Sequence, residues 1–297
     1  MSFTTRFQNS WQLLLRTLSV LKQHPRLLLF PVISTACSLV IVVFFFGALA
    51  LDFTLNPSLW ALATPGKNAA VNVHYNLYAE SPILVGLYFL SMFLATFMNV
   101  ALYNEIMRAL RGEKVSIAGG LRFARSRIYS IFLWSLFASF VGWVIRSLSQ
   151  RFGFIGRIVV NMIGVAWSVA TVFVTPIIIR DPNPNPLEML RNSAATLKKT
   201  WGESLIGYVG IKLGDSLIGV ASLVFLISAG ALSFALGQWL VFASAFLVWI
   251  LAMIVLSVVM SVAGSIYRCA LYMYATEGVV PEPYTQDLMD LAWKVKK

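Results

Sequence analysis

The run Ser204-Leu-Ile-Gly-Tyr-Val-Gly-Ile-Lys-Leu-Gly-Asp-Ser-Leu-Ile-Gly219 places a lysine and an aspartate three residues apart in an otherwise apolar stretch. At about 100° per residue, a helix here puts Tyr208, Lys212 and Asp215 on one stripe with Ser204 and Gly219. Gly207, Gly210 and Gly214 share a roughly opposite stripe with Glu203 and Ala221. From the start of such a helix, Lys212 lies about 12 Å and Asp215 about 16 Å along the axis, deep enough to reach the middle of a bilayer. An isolated charge there costs on the order of a few kcal/mol, so such groups face protein or water. Two chemistries fit: an intrahelical pair that neutralises itself and fixes packing, or a pathway for a solute or proton. The glycine stripe reads as a surface for close helix contact.

Two further basic groups are candidates for binding. Arg146, Arg151 and Arg157 crowd one short segment. They are suited either to holding phosphate headgroups or to an electropositive mouth that concentrates anions. Arg122, Arg125, Lys198 and Lys199 lie in amphipathic stretches next to apolar runs, where the expected partner is anionic phospholipid. Enzymatic signatures are missing: there is no phosphate-binding glycine loop, His-Glu-x-x-His or Gly-x-Ser-x-Gly, and His24 and His74 are the only histidines. Cys37 and Cys269 have no metal-ligand spacing and read as small buried hydrophobes. The expectation is a non-enzyme with no metal and no cofactor.

The elements that position these groups follow from composition. Of 297 residues, 59% are hydrophobic and 12% charged. A soluble domain has roughly 45–50% and about 25%. Too few charges remain to coat a soluble core, so the net charge of +11 reads as membrane orientation and not as a nucleic-acid surface. Residues 1–26, with Arg6, Arg16, Lys22 and Arg26 spread along an amphipathic stretch, do not read as a cleavable leader.

Spanning hydrocarbon takes about 20 apolar residues. Leu27–Leu51, Pro82–Asn104, Ile158–Ile179, Ser204–Ile227 and Trp239–Ala263 meet this, and Ile128–Ile145 is the shortest of six. Between the runs, 18 of the 23 Lys and Arg residues fall on one side, which sets that side and both termini in the cytoplasm of a bacterial inner membrane. Tight outer turns are expected at Arg146–Arg157 and near Gly230–Gln238. Asn104 and Glu105 are expected to be hydrated at the interface, and Asn99 and Asn161 to bond between helices. Past Gly278, Asp287 to Trp293 reads as one more amphipathic helix, docking on this protein or on a neighbour.

Basic amphipathic stretches precede the first, third and fifth runs, and Val100-Ala-Leu-Tyr103 is echoed by Cys269-Ala-Leu-Tyr272. The chain therefore reads as all-α, with about six transmembrane helices arranged as three hairpins, each introduced by a cytoplasmic amphipathic helix. It forms one integral membrane domain over 1–297, with repeats at 5–108, 116–180 and 186–277. Ser10-Trp11, Pro25-Arg-Leu-Leu-Leu-Phe-Pro31, Gly153-Phe-Ile-Gly-Arg157, Ala166-Trp-Ser-Val-Ala170, Thr200-Trp-Gly-Glu203 and Tyr267 to Ala275 are landmarks along nearly the whole chain. In their order and spacing it resembles an uncharacterised bacterial family of polytopic membrane proteins, a domain of unknown function. That resemblance implies the fold and no activity.

Two functions follow from these residues. One is an oligomeric channel or transporter for small ions or anions, built on the Lys212/Asp215 stripe. The other is a scaffold that organises lipids or partner proteins through its basic helices. A cysteine at Ser149 is expected to react with an impermeant thiol reagent from the outer side, and labelling only from the cytoplasm would make residues 128–179 a re-entrant pair.

Overall fold

Hydrocarbon offers nothing to an unpaired peptide group, so a long apolar run closes its hydrogen bonds within itself, and each described run does so as a helix. A computed structural model describes the backbone at residues 3–55, 82–151, 154–200 and 205–292. Side chains are described at 11–47, 85–149, 156, 158–198, 219 and 221–290. Helix α1 (Phe3–Gln23) passes through a 3-10 turn at Pro25–Leu28 into α2 (Leu29–Leu55). Then come α3 (Pro82–Ala109), α4 (Ile117–Ser126), α5 (Ile128–Arg151), α6 (Phe154–Ala170) and α7 (Val174–Arg180). The order ends with α8 (Pro186–Thr200), α9 (Leu205–Leu236), α10 (Trp239–Glu277) and α11 (Gln286–Ala292). No strand occurs among the described residues.

Five stretches of the described residues are long and apolar enough to cross a membrane: Pro25–Gly47, Val85–Ala109, Ile128–Ser149, Ile158–Arg180 and Trp239–Glu277. The expected sixth, in α9, is helical over 32 residues, with side chains described for its apolar half Ala221–Leu236. The run expected to be shortest is long enough to cross: α5 has 24 residues.

The fourth run departs from expectation. It is broken at Thr171–Phe173, between α6 and α7. Pro176 lacks the N–H that would reach back four residues and crowds the carbonyl there, so the ladder cannot continue. Thr171 Oγ1 donates instead to the carbonyls of Trp167 and Ser168, at 3.0 and 3.2 Å. The Phe173 N–H donates to Ser193 Oγ of α8 at 3.1 Å, and Ser193 has no exposed surface. Leaving that amide unpaired would cost about 1–3 kcal/mol, so the surface helix completes the broken span. The turn expected near Gly230–Gln238 is also tighter: α9 continues to Leu236, and the chain reverses at Gly237 and Gln238.

Between α7 and α8, Asp181-Pro-Asn-Pro-Asn-Pro186 redirects the chain. Asp181 Oδ1 accepts the Asn183 N–H, Asn183 Oδ1 that of Asn185, and Asn185 Oδ1 that of Leu187, at 2.9 to 3.1 Å. Each side chain thus supplies a local turn where proline forbids a helix, and Pro186 is tolerated at the first position of α8.

Packing is uneven along the spans. Helix α3 touches α2, α4, α5, α7 and α10; α5 also packs on α6, and α9 on α10. At the α5/α6 contact, Trp134 and Trp167 stack with centroids 6.0 Å apart. The buried core gathers at one end. It takes Leu13, Val20 and Leu21 from α1, Met98 to Leu110 along α3, Phe173 to Ile179 around α7, Val262 to Tyr274 of α10, and Met289 of α11. Helix α10 has 39 residues, about 58 Å, roughly twice the hydrocarbon depth. Only 6% of its most apolar window is buried, while its last turns are core. Bilayer-facing surface and protein core are therefore consecutive stretches of one helix.

Candidate functional site

The core end carries most of the described polar contacts. Helix α4 starts at Ser116, whose Oγ accepts the Gly119 N–H at 3.2 Å. The Ser116 N–H donates to Glu105 Oε2 of α3 at 2.7 Å, the side-chain amide of Asn104 donates to Glu105 Oε1 at 3.0 Å, and Arg108 lies 3.4 Å away. Glu105 is 0% exposed. Its charge is tolerated because a backbone amide, a carboxamide and a guanidinium all point at it. Interfacial hydration, expected from its place at the end of a span, is not its environment. Burial comes from α4 packing closely on α3, and that depends on Gly120. A Cβ there would stand 2.8 Å from the Ala101 carbonyl oxygen, 2.9 Å from Glu105 Cγ and 3.0 Å from Phe30 Cζ. No other residue fits without moving backbone.

A second carboxylate ties three helix ends together. Glu277, in the last turn of α10, pairs with Arg111 beyond α3 at 3.3 Å and with Arg180 at the end of α7. The C-terminal segment closes the same end. Tyr284 is buried, with its hydroxyl 2.8 Å from Thr17 Oγ1 of α1, and Tyr274 hydrogen-bonds Asp290 of α11. Burial pushes the Tyr284 phenol above its ordinary value, with the Thr17 contact pulling the other way, and the ring stays neutral. The tail thus forms its expected helix and docks on its own chain.

The outer faces of this end are basic. Arg16 and Lys22 on α1, Arg122 and Arg125 on α4, and Arg191 and Lys198 on α8 are exposed. None pairs with a carboxylate among the described residues, where the ion pairs are those of Arg108, Arg111 and Arg180. On the opposite faces Leu13, Thr17, Val20, Gly120, Ala124, Met189 and Ser193 are buried.

The structure does not gather the sequence candidates into one site. Tyr208, Lys212 and Asp215, with Gly207, Gly210 and Gly214, lie in the helical backbone of α9, and their side chains are outside the described residues. The side chains of Arg151, Arg157 and Lys199 are outside them too, while Arg146 is exposed on α5. Asn99 and Asn161 are exposed, and no described residue hydrogen-bonds either carboxamide, contrary to the expected interhelical bonds. No group of His, Cys, Asp and Glu among the described residues could hold a metal ion. Sequence reasoning gave Glu105 the wrong environment and missed Glu277. The available signal was an acidic residue in the last turn of an apolar run, where the helix dipole disfavours it and a compensating partner is required.

One comparison with known proteins gives a match: a family model described as a family of unknown function (DUF6159) covers residues 79–281. That range runs from α3 into the segment after α10, and it leaves the Ser10-Trp11 and Pro25 to Pro31 landmarks outside. No curated protein and no solved structure matches the chain.

Glu105→Ala is expected to lower unfolding stability in detergent by about 1–3 kcal/mol, because the Ser116 amide and the Asn104 carboxamide lose their acceptor while Arg108 keeps its pair with Glu113. Glu105→Gln, which keeps an acceptor, should cost less. A Glu105→Ala protein within about 0.5 kcal/mol of wild type would remove Glu105 from this role.

Proposed function

We propose, for a chain that belongs to this family of unknown function, that it is a non-enzymatic scaffold of the bacterial inner membrane, its core end cytoplasmic, organising anionic lipid or partner proteins. One observation supports this reading above the others: α1, α4 and α8 each commit one face to a shared core and carry on the other Lys and Arg without a carboxylate partner among the described residues. Trp11 and Leu15 are exposed beside Arg16, the mix of aromatic, apolar and basic side chains that suits a headgroup layer. Near an anionic surface each such charge contributes about 1 kcal/mol. Internal pairing would cancel that attraction. In this reading α2 with α3, α5 with α6, and α9 with α10 are three spanning hairpins, six spans in all, each introduced by one of the basic helices.

Transport keeps one supporting observation: the backbone of α9 is helical through Lys212 and Asp215, the local structure a pathway on this helix needs. An oligomer would be the expected form of such a pathway.

One set of proteoliposomes containing phosphatidylglycerol and phosphatidylcholine separates the two. Neutralising Arg122, Arg125, Lys198 and Lys199 to Gln should reduce the phosphatidylglycerol enriched around the protein, measured by energy transfer to a labelled lipid, with the loss largest at low salt. Unchanged enrichment would count against the scaffold. Flux of small ions or anions that falls in Asp215→Asn with Lys212→Met would favour transport instead.

A further inference from the structure

Helices α3 and α10 meet at the core end, and beyond that contact the same face of each helix carries polar groups that hydrocarbon cannot satisfy. The Arg268 guanidinium of α10 lies 5.9 Å from the centre of the Tyr103 ring of α3 and donates to Ser265 Oγ at 3.3 Å. Arg268 is exposed and has no carboxylate partner among the described residues. From this contact, helical periodicity continues the Arg268 face of α10 through Gly264 to Ser261. Ser261 is exposed, and a Cβ on Gly264 would meet nothing within 4 Å. On α3 the Tyr103 face continues to Asn99 one turn away and then to Ala95, both exposed, with Tyr88 further along, its ring exposed and its hydroxyl against Gly142 of α5. The buried residues of α10 begin only at Val262, so the paired faces lie open beyond the core.

We propose that this groove between α3 and α10 binds one phospholipid with an anionic headgroup. Arg268 takes the phosphate, Asn99 and Ser261 hydrogen-bond the glycerol-ester oxygens, and an acyl chain runs along the α3 stripe from Ala95 to Tyr88. The vertical order of groups fits: cation at the core end, carboxamide and hydroxyl next, apolar surface beyond. From Asn99 to Tyr88 is about 16 Å of helix, close to one leaflet of hydrocarbon. The guanidinium fork matches phosphate oxygens, and basic pockets between spans at this level suit anionic headgroups. A soluble anion would pair with Arg268 but leave Asn99 and the apolar stripe uncovered. A second copy related by a twofold axis would bring Arg268 against Arg268 with no carboxylate between them. The site is separate from the basic faces of α4 and α8 and does not rest on the scaffold reading.

Native mass spectrometry of the full chain in detergent, titrated with palmitoyl-oleoyl phosphatidylglycerol or phosphatidylcholine, tests this. The expected result is one phosphatidylglycerol held in preference to phosphatidylcholine and retained in salt that strips lipid from the exposed basic helices. Arg268→Gln should weaken that binding about tenfold or more, and Arg268→Lys by less. Asn99→Leu and Ser261→Leu, both at exposed positions, should weaken both lipids while sparing the headgroup preference, and they keep the test open if Arg268→Gln does not fold. Equal retention of the two lipids by wild type, or unchanged binding in a folded Arg268→Gln protein, would overturn the proposal. So would displacement of phosphatidylglycerol by millimolar inorganic phosphate, or a dimer in place of the lipid adduct.

Discussion

A carboxylate with no exposed surface sits under the first turn of α4 and holds it to α3. The rest of the core end depends on this arrangement, because α3 is the helix on which α2, α4, α5, α7 and α10 converge. The Ser116 amide can reach Glu105 only if α4 lies close, and α4 lies close because Gly120 presents no side chain to the Ala101 carbonyl. Removing the carboxylate leaves the Ser116 amide and the Asn104 carboxamide without their acceptor, a larger loss than the modest net gain of an ordinary hydrogen bond.

The same reliance on backbone partners recurs where the fourth span breaks. Pro176 interrupts the ladder, and Ser193 from α8 supplies the missing acceptor to Phe173. Both amphipathic helices, α4 and α8, are thus joined to spans through a backbone N–H that donates to a buried side chain. Their inner faces are committed to the core, which leaves only the outer, basic faces for anything outside the chain. Membrane-facing stretches such as the first half of α10 contribute little to the core, and their stability comes from the bilayer they face.

The membrane class was legible because apolar run length is a direct consequence of bilayer thickness. The helices at Phe3–Gln23, Ile117–Ser126 and Pro186–Thr200 were legible because apolar residues at helical spacing, interleaved with Lys and Arg, let one face bury while the other stays hydrated. The break at Thr171–Phe173 was harder: Pro176 announces a defect, but its repair by Ser193 is a tertiary event between residues 20 apart. Glu105 misled for a related reason. Position along the chain placed it at an interface, and only the close docking of α4, set by a glycine 15 residues later, buries it. The carboxamides of Asn99 and Asn161 were recognisable as polar groups within spans, yet no sequence periodicity told which side of a helix would be left uncovered. The Tyr208, Lys212 and Asp215 side chains fall outside the described residues, so the stripe on α9 stands as the sequence alone presents it.

Helix α4 is held in the core through Glu105 and is not held at the surface by lipid alone. Hydrogen–deuterium exchange of the wild-type chain in lipid nanodiscs measures this directly at the amides of Ser116 to Ala124. Protection comparable to the last turns of α3 is the expected result. Exchange of α4 at the rate of a solvent-exposed helix, while α3 stays protected, would contradict it.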